Sequence, residues 1–156
     1  MARVLGSWDC VVCGQRNLQG MRLRFHVDGD GARTAWTVAP AFQGFRDILQ
    51  GGMVLAILDD CMWYAAYGQG AVTLTAEASI RYRAPVGVGE PILAEGRVVE
   101  RRGRLWLCAA ELVRAGSREA LARAEGKFLA VSPGRAADLS GGVRVHELPA
   151  EDPGAP

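Results

Sequence analysis

The chain lacks an apolar run long enough to cross a bilayer. A helical span takes roughly 18 to 20 consecutive apolar residues, and the longest run here, residues 51–66, is broken by Asp59 and Asp60. It also lacks an excess of charge of either sign. With 18 basic and 17 acidic residues and a net charge of +1, no overall field favours nucleic acid or an anionic membrane, so any basic site must be local. The opening residues, Met1-Ala2-Arg3-Val4-Leu5-Gly6, show no secretory apolar stretch, and a cytoplasmic location is the expectation. In a reducing compartment the four cysteines (Cys10, Cys13, Cys61 and Cys108) are expected as thiols, with Cys61 and Cys108 in the core. No second Cys-x-x-Cys accompanies Cys10 and Cys13 to complete a tetrahedral zinc site, and no metal is expected. The two histidines, His26 and His146, fall on an edge hairpin and in a tail, and there is no nucleophile elbow. A Ser-His-Asp hydrolase is therefore excluded.

What is present is a soluble composition, 49% hydrophobic and 22% charged over 156 residues, enough for one domain with a real core. Residues 1–20 are a turn-rich lead-in. Residues 21–27 and 32–39 alternate apolar and polar around Asp28-Gly29-Asp30-Gly31, which predicts a hairpin. Residues 51–67 hold no proline, start at a glycine pair and are apolar on every side, which predicts a helix surrounded by the rest of the fold. Four strands follow over 72–84, 92–100, 105–115 and 121–131, the first with one polar and one apolar face. Residues 133–156 read as a mobile tail behind a domain of 21–132. The order predicts an α+β fold, one antiparallel curved sheet wrapped around a long central helix. Such a sheet leaves an open edge, so a homodimer at least is expected.

Asp59 and Asp60 lie inside the apolar helix, where an ionised carboxylate costs several kcal/mol unless something compensates it. At 100° per residue the two cannot face one small site equally, and Asp60 is expected to be solvated or paired with an arginine. Gly51 and Gly52 open the helix, where unsatisfied N–H groups and the helix dipole favour a developing oxyanion, although a glycine pair also serves close packing. Arg81, Arg83 and Arg104 suit bidentate phosphate contacts; the plain alternative is a solvated hairpin.

The motif Gln43-Gly44-Phe45-Arg46-Asp47-Ile48-Leu49-Gln50-Gly51-Gly52, Asp59 nine residues after Gln50, then Thr75 and Arg81-Tyr82-Arg83-Ala84-Pro85-Val86, resembles the hotdog-fold thioesterase superfamily, in particular its PaaI-like acyl-CoA thioesterases. The resemblance covers about residues 10–131, and Cys10 to Gly14 resembles a Cys-x-x-Cys-Gly lead-in of many bacterial members. It implies Asp59 as general base or nucleophile, the Gly51 N–H as oxyanion donor with Gln50 beside it, and Thr75 holding the water or thioester. Gly52, Asp60, Arg81, Arg83 and Arg104 would bind the acyl-CoA, Asp60 least directly. Gln50 stands where the family usually has His; it can donate and accept hydrogen bonds but is no acid or base near neutral pH. The site would lie between subunits of a homodimer or dimer of dimers, the helix of one facing the Thr75 strand of the other. No cofactor is implied beyond the coenzyme A of the substrate, and no nucleic acid or membrane partner. Trp63, Tyr64, Met62 and Phe45 are expected to line an acyl pocket. The alternatives are a non-catalytic acyl-CoA or acyl-carrier binding module and a hotdog dehydratase or hydratase.

Overall fold

The computed structural model describes residues 3–29, 31–140 and 145–149. Its eight strands are β1 (Arg3–Gly6), β2 (Phe25–Asp28), β3 (Gly31–Thr37), β4 (Thr73–Tyr82), β5 (Pro91–Arg102), β6 (Leu105–Arg114), β7 (Ala120–Ala130) and β8 (His146–Glu147). They form one antiparallel sheet in the order β4-β7-β6-β5-β3-β2-β1-β8. Helix α1 (Gly51–Gly68) packs chiefly on β5, β3 and β6, and α2 (Pro133–Ser140) follows β7. This is the expected α+β hotdog architecture. Among the described residues no helix is long and apolar enough to cross a membrane.

Helix α1 begins where the Gln50 side chain accepts a hydrogen bond from the Met53 N–H at 3.1 Å, and it ends before Gly70, whose φ of +87° an L side chain resists. Val54, Ile57, Leu58, Cys61, Met62, Tyr64, Ala65 and Ala66 are buried against the sheet with Phe25, Leu112, Leu121 and Phe128. Each such large side chain contributes about 1.5–3 kcal/mol of burial. Gly96 lets α1 settle onto β5, because a Cβ there would stand 2.6 Å from the Cys61 carbonyl carbon. The helix is not surrounded, however. Gly52, Ala56, Asp59, Trp63 and Tyr67, at helical spacing, form a stripe that the sheet leaves partly open.

Three other expectations change. β4 was expected to show one polar and one apolar face, yet Leu74, Thr75, Ala76, Glu77, Arg81 and Tyr82 are all exposed, because β4 is an edge strand with no neighbour on its outer side. His26 lies on β2, between β1 and β3, and not on an edge. The lead-in contributes β1 to the sheet, and the segment expected to be a mobile tail carries α2 and β8, which pairs Leu5 with Glu147 and Gly6 with His146. The rest of that tail, residues 141–144 and 150–156, lies outside the described residues.

Candidate active site

Asp59 sits on the open stripe of α1, and β4 crosses over it. The Thr75 hydroxyl donates to Asp59 Oδ1 at 2.9 Å. The β4–β7 register shifts between Thr75 and Glu77, a bulge that re-aims side chains locally. Burial raises the carboxyl pKa of Asp59, and the Thr75 hydrogen bond works against that rise. Both groups belong to one chain, which corrects the expectation that the helix of one subunit meets the Thr75 strand of another.

Asp60 turns the other way, under the lead-in. Its Oδ2 lies 4.0 Å from Cys10 Sγ, and none of the ion pairs among the described residues involves it. The expected arginine partner is thus replaced by a thiol, since residues 10–14 and not a basic strand pack on that face. Burial pushes the Asp60 carboxyl well above the usual carboxylate range, with the Cys10 sulfur acting in the same direction. Hydrogen bonding from the Cys13 thiol, assisted by the main-chain N–H groups of Cys13 and Val12, pushes Cys10 down to about 6. Cys13 is raised in turn by the shared bond and by burial.

At the start of α1, Gln50 Oε1 is occupied as the cap, and the N–H groups of Gly51 and Gly52 have no acceptor among the described residues. The Tyr82 hydroxyl donates to the Gly51 carbonyl at 2.7 Å, tying the far end of β4 to the helix. A groove of ≈ 630 Å³ opens there between Phe45, Gln50, Gly51, Tyr82 and Arg83. Gly51 and Asp59 are eight residues apart on one helix, an axial separation of about 12 Å. A single chain therefore does not bring the Gly51 N–H and the Asp59 carboxylate to one small group.

The arginines divide in the same way. Arg81 and Arg83 are exposed at the Tyr82 end of β4, with the Arg83 N–H bonded to the Leu121 carbonyl. Arg104 donates to the Ala130 carbonyl at 3.0 Å, and Ala130 pairs with Thr73 at the opposite end, about 30 Å away along the strand. Nor do the four expected acyl-pocket residues share a pocket. Met62 and Tyr64 are core, Phe45 is 84% exposed at the groove, and Trp63 lines a separate cavity of ≈ 310 Å³ with Tyr67, Thr73 and Leu139. Large apolar side chains on one helix point to different sides, which their proximity in sequence conceals. The contact of Tyr82 with Gly51 has no signature in the sequence, although Tyr82 lies inside the Arg81 to Val86 motif. The meeting of Cys10 and Cys13 with Asp60 has no local signal, because it spans about fifty residues.

Residues 47–121 match the family model described as the thioesterase superfamily. Among solved structures, a thioesterase superfamily protein is similar at 25% identity and a TM-score of 0.72, over 77% of this chain and 59% of that one. The chain thus spans less than two thirds of that protein's length. The PaaI protein of E. coli, from the phenylacetic acid degradation operon, is similar at 18% identity and a TM-score of 0.67, over 72% of this chain and 81% of that one. A hypothetical thioesterase of Streptococcus pneumoniae, solved with coenzyme A, is similar at 12% identity and a TM-score of 0.64, over 66% and 82% respectively. Of that protein, Asp-to-Ala and Thr-to-Ala variants have also been solved, at positions sixteen residues apart. No curated protein matches the sequence. The family match over residues 47–121, the segment that holds Asp59, Thr75 and the start of α1, and the shared sheet-and-helix architecture make the chain similar to the thioesterase superfamily and give it the hotdog fold.

Proposed function

We propose that the protein hydrolyses an acyl-CoA thioester at a site built from two copies of the chain. Asp59, steadied by Thr75, belongs to one copy; Gly51, Gly52 and Gln50 belong to the other. Asp59 acts as general base or nucleophile. As general base it takes a proton from water while the oxygen adds to the acyl carbon, and the C–S bond then breaks to release coenzyme A. The Gly51 N–H and the Gln50 amide group receive the oxyanion. Gln50 Oε1 caps the helix, which leaves its Nε2 to donate. Arg81, Arg83 and Arg104 are assigned to the coenzyme A phosphates, from both copies, since they stand at opposite ends of β4.

The observation that carries this reading is the Thr75–Asp59 hydrogen bond at a sixteen-residue separation, the separation of the two positions substituted in the Streptococcus pneumoniae thioesterase. Edge exposure of β4 supports the two-copy arrangement: antiparallel apposition of two β4 edges brings the Thr75 end of one against the Tyr82 end of the other. A homodimer or a dimer of dimers follows. A thiol-release assay over short, long and aryl acyl-CoAs tests the reading, with Asp59→Asn expected to lose about 10²–10⁴-fold in rate. Coenzyme A affinity without thiol release from the wild type supports instead the binding module, which the absence of an acid or base at Gln50 favours.

A further inference from the structure

A second cluster, which the proposed reaction does not use, lies where the lead-in crosses α1. Cys10 Sγ, Cys13 Sγ and an Asp60 carboxylate oxygen all fall within 4.8 Å of one another. The Cys10-Val11-Val12-Cys13-Gly14 turn is tightly closed. The Gly14 N–H donates to the Cys10 carbonyl at 2.9 Å and the Val12 N–H donates to Cys10 Sγ at 3.3 Å. A Cβ at Gly14 would lie 2.3 Å from the Cys10 carbonyl oxygen, so the closure excludes any side chain there. Ser7 Oγ stands 3.3 Å from Cys13 Sγ.

Two observations ask for something in this space. The Asp60 carboxyl is covered by the lead-in, with thiols rather than a cation against it. The Tyr64 hydroxyl, on a residue 1% exposed, faces Cys13, Asp60 and Cys10 and has the Cys13 thiol beside it but no oxygen or nitrogen partner among the described residues. A half-buried carboxylate with no cation against it, and a deeply buried hydroxyl with only a thiol beside it, each cost free energy unless better met. A divalent cation carrying a water meets both.

We propose that Cys10, Cys13 and Asp60 bind one Zn²⁺, with a water held by the Tyr64 hydroxyl in the fourth position. Zinc–sulfur bonds of about 2.3 Å and zinc–oxygen bonds of about 2.0–2.2 Å give tetrahedral edges of roughly 3.4–3.8 Å. The 4.0 Å between Cys10 Sγ and Asp60 Oδ2 needs only a small contraction to reach them. Two sulfur donors select zinc over calcium or magnesium, which take oxygen ligands. Half-exposed Cys10 provides the path of entry. Binding displaces the thiol protons to solvent and pins the lead-in to the turn of α1 that also carries Asp59.

The test uses the full chain, reduced and stripped with a chelator, titrated with Co²⁺ as a spectroscopic probe and then with Zn²⁺. One equivalent of Co²⁺ is expected to produce thiolate-to-cobalt charge-transfer absorption and tetrahedral d–d bands, both abolished by one equivalent of Zn²⁺. Cys10→Ser and Asp60→Asn should each weaken Co²⁺ binding at least about tenfold. Asp59→Asn should keep the bands while losing thiol release, which separates this site from the hydrolytic one. Folded, reduced wild-type protein that shows no thiolate–cobalt band overturns the proposal, and so does a band undiminished in both Cys10→Ser and Asp60→Asn. Should either variant fail to fold, the wild-type titration decides alone.

Discussion

Asp59 carries two opposing influences whose balance is measurable. Burial raises its pKa and the Thr75 hydroxyl lowers it. The proposed hydrolysis needs the ionised form, so the acid limb of the kcat/KM profile should lie above the ordinary aspartate value of about 3.9. Thr75→Ala removes a donor to the carboxylate and should move that limb to still higher pH; a limb that stays or falls would detach Thr75 from the base. The same shift has a stability sign. A carboxyl whose folded pKa is raised leaves stability intact below the unfolded pKa and diminishes it as pH climbs through the folded one. Asp59→Asn removes that loss, so its thermal midpoint at pH 7 should be no lower than the wild type's while activity falls.

At the scale of elements, the start of α1 and its seat on β5 do different work. Gly51 is the first helical residue, preceded by Gln50 with extended dihedrals (φ −63°, ψ 134°) that suit a following proline. Gly51→Pro therefore deletes one N–H at little cost to the helix. We expect a folded protein whose thiol-release rate drops about 10²–10³-fold; full activity would move the oxyanion site elsewhere. Gly96→Ala puts a Cβ against the Cys61 backbone, a close approach neither element can relieve. It should cost about 1–3 kcal/mol in denaturant unfolding, far more than the same change at solvent-facing Gly116, where nothing lies within 4 Å.

At the scale of the whole molecule, the 12 Å between Gly51 and Asp59 along one helix is what brings a second copy into the proposed site. Mixing inactive Asp59→Asn chains with inactive Gly51→Pro chains should restore about a quarter of wild-type activity. Half of randomly formed dimers are mixed, and each mixed dimer has one intact site. No recovery, or a monomeric mass in sedimentation at micromolar concentration, would place both groups on one chain or the site elsewhere.

The sequence by itself determined the hairpin, the helix, read over residues 51–67, and the four strands after it, because period-two alternation, a proline-free apolar run and glycine boundaries are local signals. The resemblance of its motif to hotdog-fold thioesterases also marked Asp59, Thr75 and the Gly51 helix start. Tertiary structure alone decided what those residues meet. Thr75 reaches Asp59 within its own chain because β4 bends over α1. Asp60 meets thiols and not arginine because the lead-in folds back across the sequence to cover it. The arginines separate because β4 is about 30 Å long. A one-dimensional pattern records which face a residue takes on its own element; which element lies opposite is set by how the sheet closes over the helix.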